Sequence, residues 1–202
     1  MSPLKIAVLG STKGTDLQAI INAIELKEID AKIVLVASDK KDAFILERAK
    51  KHKIETLVVN YSDFKTREEA EKVFSEKIKE KEADLILLIG FMKIVTKYFV
   101  NQFKGKIWNI HPSLLPKYAG GMSNNVHEEV LKNKEKKTGC TLHEVTEVVD
   151  KGKIILQKKI KVTEEDTVKS LKEKVQKLEQ ECFLEALKMV IENKIIIKGE
   201  LT

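Results

Sequence analysis

The chain has 202 residues, of which 43% are hydrophobic and 34% are charged. This balance is typical of a single folded globular domain and excludes an intrinsically disordered chain. Lys and Arg number 37 against 31 Asp and Glu, a formal net charge of +6, but only 5% of the residues are aromatic. Nucleic-acid-binding proteins usually cluster their basic residues and add aromatic side chains that stack on bases. We therefore expect small anionic molecules as partners and keep nucleic-acid binding only as an alternative.

The two cysteines, Cys140 and Cys182, lie far apart in apolar segments, which is typical of buried, reduced thiols in a cytoplasmic protein. Because the sequence has no Cys-x-x-Cys and no cluster of His and Cys, we expect no metal site. No signal peptide precedes the first apolar run, and no run approaches the roughly 20 residues that span a bilayer. These features predict a cytoplasmic protein without a membrane segment, and they leave open whether it is a monomer or a homodimer.

The first half of the chain alternates predicted strands with predicted helices. Short continuous apolar runs predict strands, and apolar residues spaced three or four apart predict helices. In chain order, the strands are predicted at 4–9, 32–37, 56–59 and 85–89, and the helices at 17–26, 42–51 and 67–81. This order predicts an α/β fold with a doubly wound, mostly parallel sheet, because right-handed crossovers place helices on both faces.

The second half has a different pattern, in which one strand leads into a loop rich in proline and glycine. The elements predicted after it are a helix, two strands separated by an acidic turn, a long helix and a last strand. In chain order, these elements are predicted at 106–110, 125–132, 139–145, 153–162, 167–192 and 195–197. Thr167 is a suitable N-cap for the long helix.

A glycine-containing loop, Gly10-Ser-Thr-Lys-Gly-Thr-Asp16, follows the first strand and leads into a helix. The N-terminus of a helix offers unpaired backbone N–H groups to an anion. The loop matches neither the Walker A pattern nor the Gly-x-Gly-x-x-Gly pattern of dinucleotide-binding domains. Two interpretations therefore stay open: a phosphate site, or a plain turn in which Thr15 or Asp16 caps the helix.

The most informative stretch is Trp108-Asn-Ile-His-Pro-Ser-Leu-Leu-Pro-Lys-Tyr118, which begins in a predicted strand. Alternation along the strand places Asn109 and His111 on the same side, and Pro112 restricts His111 to extended geometry. An amide and an imidazole held together suit a developing oxyanion and a moving proton. Ligands of open α/β sheets bind beyond the carboxyl ends of the strands, where this pair lies. The alternative is that Asn109 fixes a turn and His111 is a hydrogen-bonded core residue.

Asp150 lies in the acidic turn between two predicted strands. It could cap the backbone of its own turn, or it could face His111, fix the orientation of the imidazole and favour its charged form. The remaining histidines have no obvious partner in the sequence. We interpret His127 and His143 as structural and His52 as exposed.

These stretches together resemble the phosphoribosylglycinamide formyltransferases, folate-dependent enzymes of purine synthesis. The resemblance extends over essentially the whole chain and is carried most specifically by Asn109-Ile-His-Pro-Ser-Leu-Leu-Pro116, with support from Gly90-Phe-Met-Lys-Ile94 and Thr138-Gly-Cys-Thr-Leu-His-Glu-Val145. It implies that residues 1–202 form one catalytic domain with a variant of the Rossmann fold. Within that domain it implies a phosphate-binding half at about 1–105 and a catalytic and folate-binding half at about 106–202.

The resemblance implies transfer of a formyl group from the co-substrate 10-formyltetrahydrofolate to the primary amine of glycinamide ribonucleotide, without a metal. Asn109, His111 and Asp150 match the catalytic residues of the family. Asn109 and protonated His111 would stabilise the tetrahedral oxyanion. Asp150 would orient His111 and assist the movement of a proton to the departing folate nitrogen.

The resemblance also implies two groups of binding residues. For the phosphate and ribose of the ribonucleotide, they are Gly14, Thr15, Asp16, Gln176 and Glu179. The last two lie on one face of the long helix because they are three residues apart. For the folate, they are Arg67, Met92, Lys93, Ile94 and Val95. Of these, the two cations would meet the glutamate tail and the other three would form the pocket wall together with Lys93.

The chain departs from the family pattern at several positions. Asp16 stands where Asn is common, and a carboxylate beside a phosphate is unfavourable unless it points away to cap the helix. Lys93 stands where Arg is common, which removes bidentate recognition of a carboxylate. The stretch from Gly120 to His127 is longer than in many members, and Lys153 replaces a usual proline. These departures predict changed substrate affinity more than changed chemistry.

Three alternatives remain. Methionyl-tRNA formyltransferases and formyltetrahydrofolate hydrolases share the segment from Asn109 to Pro116, but they usually carry a further domain, so the length of this chain disfavours both. The third alternative is a nucleotide-binding or nucleic-acid-binding module that is not an enzyme. It predicts that Asn109, His111 and Asp150 lie apart.

Overall fold

The computed structural model describes residues 2–121 and 123–197, without the side chains of residues 123–125. The described residues form seven strands and six α-helices. The strands are β1 Leu4–Leu9, β2 Ala31–Ser38, β3 Thr56–Val58, β4 Leu85–Leu88, β5 Ile107–His111, β6 Lys137–Glu144 and β7 Ile154–Lys161. The helices are α1 Thr15–Glu25, α2 Phe44–Lys51, α3 Arg67–Glu80, α4 Lys97–Gln102, α5 Ser123–Lys132 and α6 Val168–Ile191. A short 3-10 helix spans Tyr61–Asp63.

The strands form a single sheet in the order β3-β2-β1-β4-β5-β6-β7. The first five strands are parallel, whereas β6 and β7 run antiparallel to their neighbours. The chain moves outward from β1 to β3 and then returns to place β4 on the other side of β1. The strand order therefore reverses between β1 and β4, and such a reversal opens a crevice at the carboxyl ends of the strands. The predicted doubly wound, mostly parallel sheet is confirmed.

Helices cover both faces of the sheet because the strand residues alternate between two apolar cores. Ile6 and Val8 of β1 belong to the larger core, which also contains buried residues of α1, α2 and α6. Ala7 and Leu9 belong to the second core, which includes Phe74 of α3. Parallel strands that are buried on both faces have continuous apolar sequences, which is why these strands were predicted close to their observed bounds.

The longest helix, α6, begins at the predicted N-cap. The Thr167 hydroxyl accepts a hydrogen bond from the Ser170 backbone N–H at 3.1 Å, and the Ser170 hydroxyl accepts one from the Thr167 N–H at 3.0 Å. Together these two bonds form a capping box. The helix packs against β6, β7 and α1. It therefore lies beside the loop that precedes α1, although the two are about 160 residues apart in the sequence.

Two predictions of secondary structure need correction. The last strand, predicted at 195–197, is absent from the described residues. Asn193 has a positive φ of 56° after α6, and the Ile195 N–H then bonds to the Met189 carbonyl, so the segment folds back onto the helix. Its Ile195 and Ile197 pack against the larger core without joining the sheet. Helix α4 was not predicted, because only Phe99 and Val100 of its six residues are buried and it is too short for an apolar period.

No helix in the described part of the chain is both long and apolar enough to cross a membrane.

Candidate active site

A cavity of about 260 Å³ lies at the carboxyl ends of β4 and β5, next to the reversal of strand order. Its wall contains Asn109, His111 and Asp150, the three residues predicted to be catalytic. It also contains His143 and the loop from Gly90 to Val95. Side chains from β5, β6, the loop after β4 and the turn between β6 and β7 therefore meet in one place.

His111 and Asp150 form a buried pair. The Nδ1 atom of His111 lies 3.2 Å from Asp150 Oδ2, and the two side chains are only 4% and 8% exposed. The carboxylate also accepts a hydrogen bond from the Gly120 backbone N–H at 2.7 Å. Asp150 itself has a positive φ of 54°. It faces the imidazole from across the turn, so the alternative that it merely caps its own backbone is wrong.

The second ring nitrogen of His111 also has a hydrogen-bond partner. Its Nε2 atom lies 2.9 Å from the Tyr118 carbonyl oxygen, which can only accept a hydrogen bond. Burial lowers the pKa of His111, although the Asp150 carboxylate and the Tyr118 carbonyl oppose that shift. Burial alone would raise the pKa of Asp150. The hydrogen bonds from His143 and Gly120 and the charge of His111 outweigh this, so the pKa of Asp150 lies below its usual value. Asp150 is therefore ionised at neutral pH and ready to stabilise a protonated His111.

His143 is a member of this cluster that the sequence interpretation missed. Its Nε2 atom lies 3.4 Å from Asp150 Oδ1 and 3.3 Å from Asn109 Nδ2, and its Nδ1 atom lies 2.9 Å from the Glu144 carbonyl oxygen. The sequence showed no obvious partner for His143, which was interpreted as structural, whereas the structure places it against Asp150 and Asn109. Asn109 and His143 are direct neighbours in the antiparallel pairing of β5 with β6. Only that register could have revealed the contact.

The four side chains form one connected group, since Asn109 contacts His143, His143 contacts Asp150 and Asp150 contacts His111. The non-enzymatic alternative required the predicted catalytic residues to lie apart, and the structure contradicts it.

The loop before α1 has the geometry of an anion site. Gly14 is the N-cap of α1 with a positive φ of 65°, and no hydrogen bond from a described side chain caps the helix there. The predicted alternative of a cap by Thr15 or Asp16 is therefore wrong. Unpaired N–H groups in the first turn of a helix attract anions. A side chain at position 14 would collide with Ile45, because an added Cβ would lie 2.4 Å from Ile45 Cγ1.

Helix α6 brings the predicted ribonucleotide residues of the second half to this loop. Gln176 Nε2 donates a hydrogen bond to the Thr15 hydroxyl at 2.6 Å. Glu179 lies one turn further along α6 and interacts electrostatically with Asp16. Asp16 is only 6% exposed, and burial raises its pKa to about 7 despite a hydrogen bond with Gln180. The residues that the resemblance assigns to the ribonucleotide thus lie together: Gly14, Thr15, Asp16, Gln176 and Glu179.

The predicted folate residues lie on the loop after β4 and at the start of α3. Met92 and Ile94 are 44% and 62% exposed at the cavity. Lys93 Nζ and Arg67 Cζ lie 5.7 and 6.0 Å from the ring centre of Tyr61, and the Arg67 guanidinium donates a hydrogen bond to the Ile94 carbonyl. Two cations therefore gather around one aromatic ring beside the cavity. Such a group can receive an anionic tail.

The loop from Gly90 to Val95, the predicted folate loop, is hydrogen-bonded to the loop from Gly10 to Asp16, the predicted phosphate loop. The Ser11 backbone N–H donates to the Gly90 carbonyl at 3.1 Å, and the Ser11 hydroxyl accepts from the Met92 N–H at 2.9 Å. The two groups of predicted binding residues are therefore neighbours, as a transfer between two bound molecules requires.

The remaining predictions concern single residues and one loop. Met122, within the stretch from Gly120 to His127, lies outside the described residues. His127 is buried on α5. His52 is not exposed as predicted: its side chain is 17% exposed, and its Nδ1 atom lies 2.6 Å from Glu25 Oε1.

Comparison with known proteins agrees with this geometry. The formyl transferase family model matches residues 4–187. Phosphoribosylglycinamide formyltransferase of Haemophilus influenzae is 39% identical over 197 residues, which cover 98% of this chain and 92% of the relative. The trifunctional purine biosynthetic protein adenosine-3 of Drosophila melanogaster is 38% identical over 200 residues, 98% of this chain, which spans only 15% of that longer relative.

Solved structures show the same similarity. Glycinamide ribonucleotide transformylase 1 from Symbiobacterium toebii superimposes with a TM-score of 0.91 at 34% identity, covering 98% of this chain and 92% of that one. Phosphoribosylglycinamide formyltransferase from Coxiella burnetii, in complex with CHES, also has a TM-score of 0.91, at 38% identity, and covers 98% and 91% of the two chains.

Proposed function

Because the chain belongs to the formyl transferase family, we propose that it transfers a formyl group from 10-formyltetrahydrofolate to the primary amine of glycinamide ribonucleotide. The observation that carries this proposal is the contact between His111 and Asp150, 3.2 Å apart in a cavity that Asn109 also lines. The folate loop lines that cavity, and the phosphate loop is hydrogen-bonded to the folate loop. The relative from Haemophilus influenzae is named a phosphoribosylglycinamide formyltransferase.

In the proposed reaction, the amine nitrogen attacks the formyl carbon and the carbonyl oxygen becomes an oxyanion. The amide of Asn109 and the protonated imidazole of His111 donate hydrogen bonds to it. The protonated ring carries a hydrogen on both nitrogens: Nδ1–H donates to Asp150, and Nε2–H turns from the Tyr118 carbonyl to the oxyanion. His143 lies beside the Asn109 amide, with its Nε2 atom 3.3 Å from Asn109 Nδ2.

Collapse of the tetrahedral intermediate breaks the bond between the formyl carbon and the folate nitrogen. The amine has to lose one proton, and the departing folate nitrogen has to gain one. Asp150, ionised beside His111, assists this proton movement and balances the charge of the imidazolium. The products are the formylated ribonucleotide and tetrahydrofolate, so atoms and charges balance without a metal or a redox cofactor.

Binding of the two substrates follows from the flanking loops. The phosphate lies at the N-terminus of α1, where Gly14 and Thr15 present backbone N–H groups. Gln176 and Glu179 of α6 hold the phosphate and the ribose. The folate lies against Met92, Lys93, Ile94 and Val95, and Arg67 and Lys93 meet its glutamate tail. Holding both molecules in line contributes a large part of the rate.

A formyl-transfer assay with 10-formyltetrahydrofolate tests the proposal, with and without glycinamide ribonucleotide. We expect folate release that requires the ribonucleotide and that the substitution His111→Ala abolishes. His52→Gln is the matched control, because His52 lies at the opposite edge of the sheet and should leave the activity unchanged. Folate release without an acceptor would indicate a hydrolase instead. The absence of any release would contradict the proposal while leaving the family assignment intact.

A further inference from the structure

Two carboxyl groups, one buried and one partly buried, lie where α1 packs against α6, beside the proposed phosphate site. Asp16, in the first turn of α1, is 6% exposed, and its Oδ1 atom has no hydrogen-bond partner among the described residues. Glu179 of α6 is its electrostatic neighbour. We infer that Asp16 and Glu179 share a single proton and that a sugar phosphate binds with uptake of this proton. This inference rests on the proposed function, because it takes the N-terminus of α1 as the phosphate site.

Burial makes it costly for both carboxyl groups to be ionised at once. Two like charges in a region of low dielectric raise each other's pKa, and so does the loss of hydration. Burial raises the pKa of Asp16 to about 7, against a hydrogen bond from Gln180. Burial, followed by the charge of Asp16, raises the pKa of Glu179. Their titrations therefore belong to the pair rather than to either residue.

The surrounding groups do not neutralise the pair. From α6, the charge of Lys172 lowers the pKa of Glu179, but this effect is smaller than those of burial, Asp16 and Cys182, which raise it. From α2, Arg48 is directed to the Lys13 carbonyl and the Gln18 side chain, at 2.7 and 3.0 Å. The only titratable residue of β2, Lys32, lines a cavity at the opposite edge of the sheet. Lys13, on the loop itself, is exposed.

A phosphate dianion at the N-terminus of α1 approaches this pair. An ionised Asp16 would repel the dianion, whereas a protonated Asp16 is neutral and adds an O–H donor. When the pair is fully ionised, binding therefore has to take up one proton. The affinity for the phosphate then falls as the pH rises through the titration of the pair.

Calorimetric titration with ribose 5-phosphate tests this inference, because that molecule carries the phosphate and the ribose but no amine. Comparing buffers of different ionisation enthalpy gives the number of protons taken up. For the parent chain we expect net proton uptake. We also expect a dissociation constant that rises by up to about tenfold per pH unit between about pH 7.5 and 9. For Asp16→Asn, whose amide cannot titrate, we expect no uptake and a dissociation constant independent of pH in that range.

Two further variants complete the test. Glu179→Gln removes the neighbouring charge but leaves Asp16 buried, so it should move the pH dependence to lower pH without abolishing it. Asp30→Asn makes the same chemical change at an exposed position and should behave like the parent chain. The inference is overturned if ribose 5-phosphate does not bind, if the parent takes up no proton, or if Asp16→Asn keeps the parent's pH dependence. If the chain takes up a proton on binding ribose 5-phosphate but transfers no formyl group, the proposed function is overturned and this inference stands.

Discussion

At the scale of single residues, Asp150 controls the charge of His111. Burial lowers the pKa of His111, and the nearby carboxylate limits that fall. We predict that Asp150→Asn, which keeps the shape and removes the charge, lowers the pKa of His111 further. Because the protonated imidazole stabilises the oxyanion in the proposed reaction, kcat/KM should fall about 10²- to 10⁴-fold. The decrease of kcat/KM at alkaline pH should also begin at a lower pH than in the parent chain.

Profiles of kcat/KM against pH for formyl transfer measure this effect. The matched control is Asp42→Asn, which removes an exposed carboxylate before α2 and should reproduce the parent profile. An Asp150→Asn chain with the parent's profile would show that Asp150 does not act through His111.

Gly14 is a position where the backbone and the packing both require glycine. Its φ is 65°, and an added Cβ would lie 2.4 and 2.8 Å from Cγ1 and Cβ of Ile45. We predict that Gly14→Ala lowers the free energy of unfolding by about 3 kcal/mol, from left-handed strain plus overpacking. Gly120→Ala is the control: its φ is 77°, but no described atom lies within 4 Å of the added Cβ. It should cost only about 1 kcal/mol.

Urea denaturation of the two variants separates strain from packing. If Gly14→Ala and Gly120→Ala destabilise the protein equally, the contact with Ile45 contributes nothing.

At the scale of secondary-structure elements, the capping box fixes the start of α6. The Thr167 hydroxyl accepts the Ser170 N–H at 3.1 Å, and this bond satisfies one of the unpaired donors of the helix. We predict that Thr167→Ala lowers the free energy of unfolding by about 1 kcal/mol. Thr167→Ser keeps the hydroxyl and should retain most of the stability in the same urea titration. Equal stability of the alanine variant and the parent would contradict the role of the cap.

Helix α5 carries a histidine that should make the fold sensitive to acid. His127 is buried, its Nδ1 has no partner among the described residues, and burial followed by the charge of Lys172 lowers its pKa to about 4. In the unfolded chain the pKa returns to about 6.5, so between these values the unfolded state binds more protons than the folded state. Stability should therefore be complete above about pH 6.5 and fall by up to roughly 3 kcal/mol as the pH decreases toward 4.

Unfolding free energies at about pH 7 and 4.5 check this for the parent chain and for His127→Gln. The glutamine side chain stays neutral, so the variant should lose less stability on acidification than the parent does. Taking the difference between the two proteins removes the contributions of other groups, such as Asp16, whose raised pKa acts with the opposite sign. Parallel losses in both proteins would show that His127 is not responsible.

Elements that are buried on both sides or carry a clear cap could be predicted from the sequence. The apolar run of β1 and the cap at Thr167 both set bounds that the structure confirms. The prediction of a last strand at 195–197 was wrong, because three apolar residues can pack on a helix as well as they can pair in a sheet. Asn109 and His111 could be paired by alternation along one strand. The contact of Asn109 with His143 depends on the register between β5 and β6, which 25 intervening residues leave undetermined.

At the scale of the whole molecule, the reversal of strand order explains why distant segments meet at one site. Chain segments leave β1, β4 and β5 at the same edge of the sheet, and α6 returns across the larger core to the loop before α1. The proposed ribonucleotide site therefore takes residues from both halves of the chain, whereas the proposed folate residues, Arg67 and Met92 to Val95, all lie in the first half. Such a topology follows from the alternation of strands and helices, whereas the side-chain contacts between the two halves do not.

The distribution of charge over the molecule should affect substrate capture. The chain has a formal net charge of +6, and Arg67 and Lys93 lie next to each other at the folate loop. Salt screens such exposed charges over about 10 Å at 0.1 M ionic strength. We predict that kcat/KM for 10-formyltetrahydrofolate falls about three- to tenfold between about 0.02 and 0.5 M KCl, with kcat nearly unchanged.

Lys93→Gln should weaken this salt dependence for the folate but not for the ribonucleotide. Lys169→Gln removes the same charge at an exposed position of α6 and should preserve the parent's dependence on salt for both substrates. If Lys93→Gln also preserves it, Lys93 does not attract the folate, and the overall positive charge alone accounts for the effect.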